Sequence, residues 1–290
     1  MRRLQIHHIT RYDYACTVNL MPHTLLLQPR EGHDIRIESA QLLISPDYQL
    51  QWQRDVYDNA VAEVSFLCAS DHLSIDSLIV IQHYDDQPLN FLVADYAVTY
   101  PFQYQIHEHA DLAPYLSVIY PQDLFAVQAW TQQFWRPGQI VETYLLLEWI
   151  NKAIATGFTY LGREAAGVQT PATTLAFGCG CCRDFATLFI DACRALGLAA
   201  RFVSGYLYSP SSLGAGATHA WAEVYLPGVG WKGFDPTSGL IVGNDHISVA
   251  VSRHPEAIPP IAGAFQTVMP IAQLPNPEML VTVQVEELFA

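Results

Sequence analysis

The chain has 290 residues, about half of them hydrophobic, and a formal net charge of −14. No basic stripe interrupts that acidity, which argues against nucleic acid and anionic membrane surfaces as partners. No apolar run is long enough to span a bilayer, and the start Met1-Arg2-Arg3-Leu4-Gln5-Ile6 lacks the apolar core of a signal peptide, so a cytoplasmic protein is expected. Six cysteines, three of them crowded between 179 and 182, suit a reducing compartment better than a disulfide scaffold. Two lysines, Lys152 and Lys232, make the protein a poor amine donor for crosslinking to itself.

The length allows two domains, and the pattern divides the chain accordingly. From Leu4 to about Gln82, polar and apolar residues alternate in short runs such as Ile35-Arg36-Ile37-Glu38 and Leu73-Ser74-Ile75-Asp76. Turn residues Asp47, Asp58, Asn59 and Asp71 punctuate them, which predicts an antiparallel β-sandwich. A less regular stretch opens at Asp85-Asp86-Gln87-Pro88 and passes Pro101, Pro114 and Pro121. It reads as a connection, giving a first domain over 1–110 and a catalytic core with C-terminal strands over 111–290. Helices are predicted over 123–134 and 141–156, the second stopped by Gly157. Beyond Thr237 alternation returns in 246–251 and 280–285; the pattern does not say which sheet the last strand joins.

The most informative segment is Gly178-Cys179-Gly180-Cys181-Cys182-Arg183-Asp184-Phe185, where a glycine-rich turn meets a helix starting at about Cys182. Phe185, Leu188, Phe189, Ala192, Cys193 and Leu196 follow the rhythm of one buried face. Asp184 lies in the first turn, Arg194 in the last and Gly197 just past the end. Cys182 therefore sits among the unpaired N–H groups of a helix start, which favour a thiolate over the ordinary thiol pKa of ~8.5. A strand over Ala200-Arg201-Phe202-Val203-Ser204-Gly205-Tyr206 and a small-residue loop, 209–218, lead to His219-Ala220-Trp221-Ala222-Glu223. After the turn at Pro227-Gly228-Val229-Gly230 comes a strand that ends at Asp235 before Pro236. Two adjacent antiparallel strands can hold His219 and Asp235 side by side, facing the cysteine helix. That would supply a nucleophile, a base and a carboxylate that orients the imidazole.

Cys182-Arg183-Asp184-Phe185-Ala186, His219-Ala220-Trp221-Ala222-Glu223 and Phe234-Asp235-Pro236-Thr237 resemble the three blocks of the transglutaminase-like superfamily, in its order and at comparable spacing. His8-Ile9-Thr10-Arg11-Tyr12-Asp13-Tyr14 and Leu27-Gln28-Pro29-Arg30 resemble the domain that precedes this core in a bacterial, cysteine-protease-like branch. Asp55 to Asn59 departs from that branch's Asp-x-x-Gly-Asn turn by carrying Asp58 in place of the glycine. The resemblance implies an α+β fold, in which an antiparallel β-sandwich precedes a papain- or transglutaminase-like core with the cysteine helix on an antiparallel sheet. It implies Cys182, His219 and Asp235 as the catalytic triad, no cofactor, and a peptide or protein amide as substrate.

Around these residues the bland readings weigh more. Gln169 is a candidate oxyanion donor, though an ordinary loop role is favoured. Tyr160, Tyr206, Tyr208 and Trp221 are candidate groove residues, with Trp221 more readily a core or wall residue. Cys16, Cys68 and Cys193 read as inert small hydrophobes. Cys179, Cys181 and Cys182 are spaced too tightly for zinc and lack a second pair; a disulfide from Cys179 or Cys181 to Cys182 would switch the nucleophile off. Three functions compete: an amide hydrolase, a transamidase with an amine acceptor, and a non-catalytic binding module.

Overall fold

The alternating first domain becomes six strands, β1 (Arg2–Leu20), β2 (His23–Leu25), β3 (Ile35–Ser45), β4 (Tyr48–Arg54), β5 (Ala60–Phe66) and β6 (Ser70–His83). The computed structural model describes residues 1–84, 87–163, 166–209, 217–267 and 277–289, so Asp85-Asp86 and most of the 209–218 loop lie outside the described residues. Antiparallel pairing gives a β1-β6-β3 sheet and a facing β2-β5-β4 sheet. Their inner faces meet through Val18, Leu20, Leu73 and Ile75 from one side and Leu25, Ala62 and Val64 from the other. Every second residue of a strand points the same way, and β6 uses one face twice. Leu73 and Ile75 fill the sandwich, whereas Ile79 and Ile81, with Leu4 and Ile6 of β1, join the larger core beyond it. Asp58 stands at φ 62, the left-handed conformation that the branch's glycine would adopt without strain. The turn it closes presents Asn59, whose side chain bonds both the N–H and the carbonyl of Val251 at 2.9 Å.

The connection holds β7 (Thr99–Tyr100) and a helix, α1 (Ile106–Leu116), where an irregular stretch was expected. Pro114 reads as a breaker but lies in the last turn, and Gln105 with Glu108 forms a capping box at the start. Next come α2 (Leu124–Thr131), β8 (Val141–Glu142) paired with β7, and α3 (Thr143–Gly157), which ends at the glycine that was to stop it. β9 (Thr159–Tyr160) pairs in parallel with β10 (Cys179–Gly180) across α4 (Pro171–Phe177), an element that went unforeseen. α5 (Cys182–Ala195) then precedes β11 (Ala200–Leu207), β12 (Ala217–Leu226), β13 (Gly230–Asp235), β14 (Leu240–Ile241) and β15 (His246–Ser252). These five strands form an antiparallel sheet in the order β14-β13-β12-β11-β15. α5 packs on it through Phe185, Phe189, Phe202, Ala222 and Phe234, so the fold is α+β.

The last strands return to the sandwich. β16 (Ile261–Ala262) pairs with β2, while β17 (Phe265–Gln266) and β18 (Glu278–Glu287) pair with β1. The β18 register runs from Leu4 opposite Glu287 to Asp13 opposite Glu278. Val283 and Val285 face the common core, whereas Met279, Leu280 and Val281 are exposed. Among the described residues no helix is long and apolar enough to cross a membrane.

Candidate active site

The glycine-rich approach to α5 has a steric reason. Gly178 ends α4 at φ 64. A Cβ on Gly180 would stand 2.9 Å from the Asp184 Cβ and 3.3 Å from the Phe185 ring. Cys181 is the N-cap, and its N–H donates to Asp184 Oδ2 at 2.9 Å. Asp184 Oδ1 accepts from Gln169 N at 2.7 Å and Arg163 Nη2 at 2.9 Å. Burial alone would raise the Asp184 carboxyl, but these donors outweigh it and hold it below the usual carboxylate range. Asp184 is thus a first-turn cap with a local ion pair. α5 is more deeply set than one apolar face implies, since every residue from Asp184 to Arg194 is buried. Its polar members are satisfied individually: Asp191 accepts from the N–H groups of Ile119 and Tyr120, and Arg194 donates to the carbonyls of Ser117, Ala200 and Arg253.

Cys181 and Cys182 are hydrogen bonded to each other through their thiols. That bond favours the first ionisation of the pair, bringing Cys181 to about 6, and with burial it opposes a second one, which holds Cys182 above the ordinary thiol range. The two thiols therefore titrate as one pair at the helix start, and the first proton of that pair leaves more readily than that of an isolated thiol. The N–H of Ala220, beside His219, and the hydroxyl of Tyr160 also bond the Cys182 sulfur. Cys193, in the last turn of α5, is fully buried and its thiol is pushed up by burial.

His219 lies near the start of β12 and Asp235 closes β13. The imidazole Nε2 donates to Asp235 Oδ2 at 3.0 Å, and both side chains are buried. Burial would raise Asp235, but donors surround it and hold it far below the carboxylate range. Ser238 Oγ reaches Oδ2 at 2.8 Å, and Thr237 N reaches Oδ1 at 2.9 Å. A further donor that sequence reasoning missed is His246, whose Nε2 lies 3.3 Å from the same Oδ2. His219, Asp235 and His246 bring three potential metal ligand atoms within 4.8 Å of one another, and those atoms are the ones already joined by these hydrogen bonds.

Cys182 and His219 both open onto a cleft of about 960 Å³. One wall belongs to the core; the other comes from the sandwich and the returning strands through Tyr12, Tyr14, Phe265 and Met279. Tyr160 lines this cleft next to Cys182. The other groove candidates sit elsewhere. Tyr206 is fully buried between the two halves, bonded to His8 and to the carbonyl of Leu27. Trp221 lies within the protein against Val203 and Val251, its ring edge-on to His246. Tyr208 bonds Glu287 at 3.4 Å. Gln169 does not offer its amide to the cleft: its backbone N–H serves Asp184, and its side-chain oxygen accepts from Thr174 Oγ1 at 3.3 Å.

Comparison with known proteins follows the same division. The profile of the transglutaminase-like superfamily matches residues 141–236, and that of the bacterial transglutaminase-like N-terminal region matches residues 4–82. Uncharacterized proteins of Mycobacterium tuberculosis and Mycobacterium bovis are 36% identical over 132 residues, 39% of this chain and 40% of theirs. One of Mycobacterium leprae is 34% identical over 91 residues, 30% of this chain and 32% of its own. The alignments thus span well under half the length of these relatives. A solved structure of a candidate cysteine protease from Cytophaga hutchinsonii aligns with a TM-score of 0.73 at 18% identity. It covers 100% of this chain and 91% of that one, a likeness of fold.

Proposed function

Given that the chain belongs to the transglutaminase-like superfamily, we propose that it is a cysteine-dependent acyl-transfer enzyme that hydrolyses peptide or related amide bonds. The observation that carries this reading is a buried His219–Asp235 pair opening on the cleft that also receives Cys182 from the start of α5. With Nε2 engaged by Asp235, the Nδ1 atom of His219 is left for the cleft. There it takes the proton of Cys182 as the sulfur attacks an amide carbonyl. Oxygen charge in the tetrahedral intermediate meets the N–H of Cys182, unpaired at the helix start, and the hydroxyl of Tyr160. His219 then protonates the departing amine as the C–N bond breaks. Water, losing a proton to His219, attacks the thioester carbonyl and releases the acid with the free thiol.

The test begins with iodoacetamide alkylation of Cys182 against pH, in wild type and in His219→Ala. A reactive plateau extending below neutral pH, lost in the variant, is expected. Unchanged profiles with a single rise near the free-thiol value would favour a binding module. Amide substrates are then assayed for release of the amine or ammonia with and without an added primary amine. Incorporation of the added amine in preference to water would make the protein a transamidase.

A further inference from the structure

The Asp235 carboxylate accepts four hydrogen bonds, and three come from places the chemistry already explains. Thr237 and Ser238 belong to its own turn, and His219 is the base. His246 does not fit either account. It stands on β15, at the opposite side of the sheet from β13 with β12 and β11 between them, and beyond the residues that match the superfamily core.

A single irregularity brings it there. β11 and β15 pair with Ser204 opposite Ala250 but Gly205 opposite Ser248, so Val249 is an extra residue on β15. Directly opposed residues share a face of the sheet. Past the bulge His246 opposes Leu207 and shares the face of Gly205, which opposes His219 on the other side. Had the first register continued, Ile247 would oppose Leu207 and His246 would turn to the face occupied by α5. Gly205 permits the arrangement: a Cβ there would collide with the Ile247 carbonyl and come within 2.7 Å of the Trp221 ring.

The tautomer follows from the surroundings. His246 Nδ1 is buried with no hydrogen-bond partner among the described residues. A proton there would lack an acceptor, so the neutral ring carries its proton on Nε2 and donates it to Asp235. The ionisable groups facing this ring are Asp235 from β13 and His219 from β12. His83 of β6 touches only its main chain, with Nε2 3.1 Å from the His246 carbonyl, and the neighbouring Asp245 is paired with Arg2.

We propose that His246 is a positioning residue: its Nε2–H holds the Asp235 carboxylate in the rotation that receives His219, tying the end of β13 to the far edge of the sheet. The proposal rests on the reading of His219 and Asp235 as base and orienting acid. It is tested with His246→Gln, whose amide nitrogen reaches the position of Nε2, His246→Asn, which is too short, and His246→Phe, which fills the ring volume without a donor. The first readout is the ¹⁵N titration of the His219 imidazole in the resting protein, which needs no turnover. His246→Asn and His246→Phe should shift the His219 transition by about one pH unit, the scale of one hydrogen bond to a charged group, while His246→Gln stays near wild type. On any amide substrate turned over, the same two variants should lose about tenfold in kcat with KM little changed. An unmoved His219 titration in His246→Asn and His246→Phe overturns the proposal. So does a loss in His246→Gln as large as in His246→Phe, which would make the ring and not its proton the requirement. If wild type turns over no amide, the catalytic reading fails by itself, and the titration still decides whether His246 positions the pair.

Discussion

Asp184→Asn isolates what holds the start of the Cys182 helix in place. Oδ1 accepts from Gln169 N and Arg163 Nη2, and Oδ2 accepts from Cys181 N. An asparagine can keep its oxygen on the first two only by turning its NH₂ towards the N–H of Cys181. That leaves one buried donor facing another, which costs about 1–3 kcal/mol. The ion pair adds little, because the Arg163 side chain is 26% exposed and solvent screens it. The total is a loss of roughly 1–4 kcal/mol. Urea unfolding followed by fluorescence and by circular dichroism measures it. The pH dependence gives an independent sign. Because the folded carboxyl lies below its unfolded value, its contribution is present above about pH 4 and fades as pH falls through the folded pKa. The gap between wild type and Asp184→Asn should therefore narrow in acid. A loss under about 0.5 kcal/mol at neutral pH, or a gap that widens in acid, would refute the account of Asp184 as the organiser of this helix start.

Three more outcomes are expected. Gly205→Ala places a methyl group against the Ile247 carbonyl and the Trp221 ring; overpacking of about 1–3 kcal/mol should appear in denaturation, with slower Cys182 alkylation because β15 carries His246 away. A fully stable Gly205→Ala would mean β15 can recede freely. Asp58→Ala should lose about 1 kcal/mol, because alanine tolerates the left-handed backbone poorly, while Asp58→Gly should not; equal stability of the two variants would contradict this. His8 is held at about 4 by burial and then by His7. Its neutral form is the folded one, so the unfolded chain binds more protons between pH 6.5 and 4, and stability falls by roughly 3 kcal/mol across that window. A pH–stability curve of His8→Gln as steep as that of wild type would show that the decline originates elsewhere.

Much of the site was legible because each of its three central residues stands at an element end with local markers. Glycines and a first-turn carboxylate announce the start of α5 at Cys182, and Gly197, at φ 77, closes it. A small-residue loop precedes His219, and a proline follows Asp235. These signals act over a few residues, through sterics and main-chain hydrogen bonding, and need no knowledge of the fold. The same holds for the sandwich, whose period of two is written into each strand.

What lies far apart along the chain was decided by tertiary structure alone. Alternation identifies β18 as a strand but carries no address, and only packing selects β1 as its partner. Tyr206 and Trp221 look like groove aromatics by proximity to the motifs, yet burial against the sandwich and against β15 consumes them. Cys181 and Cys182 titrate as a pair because two thiols at one helix start cannot both ionise freely. His246 shows the limit most clearly. One inserted residue inverts, relative to the neighbouring strand, the faces of the side chains on one side of it against those on the other, and whether a strand bulges depends on the neighbour it meets. Local sequence chooses the element and its ends; long-range register chooses which of its side chains share a site.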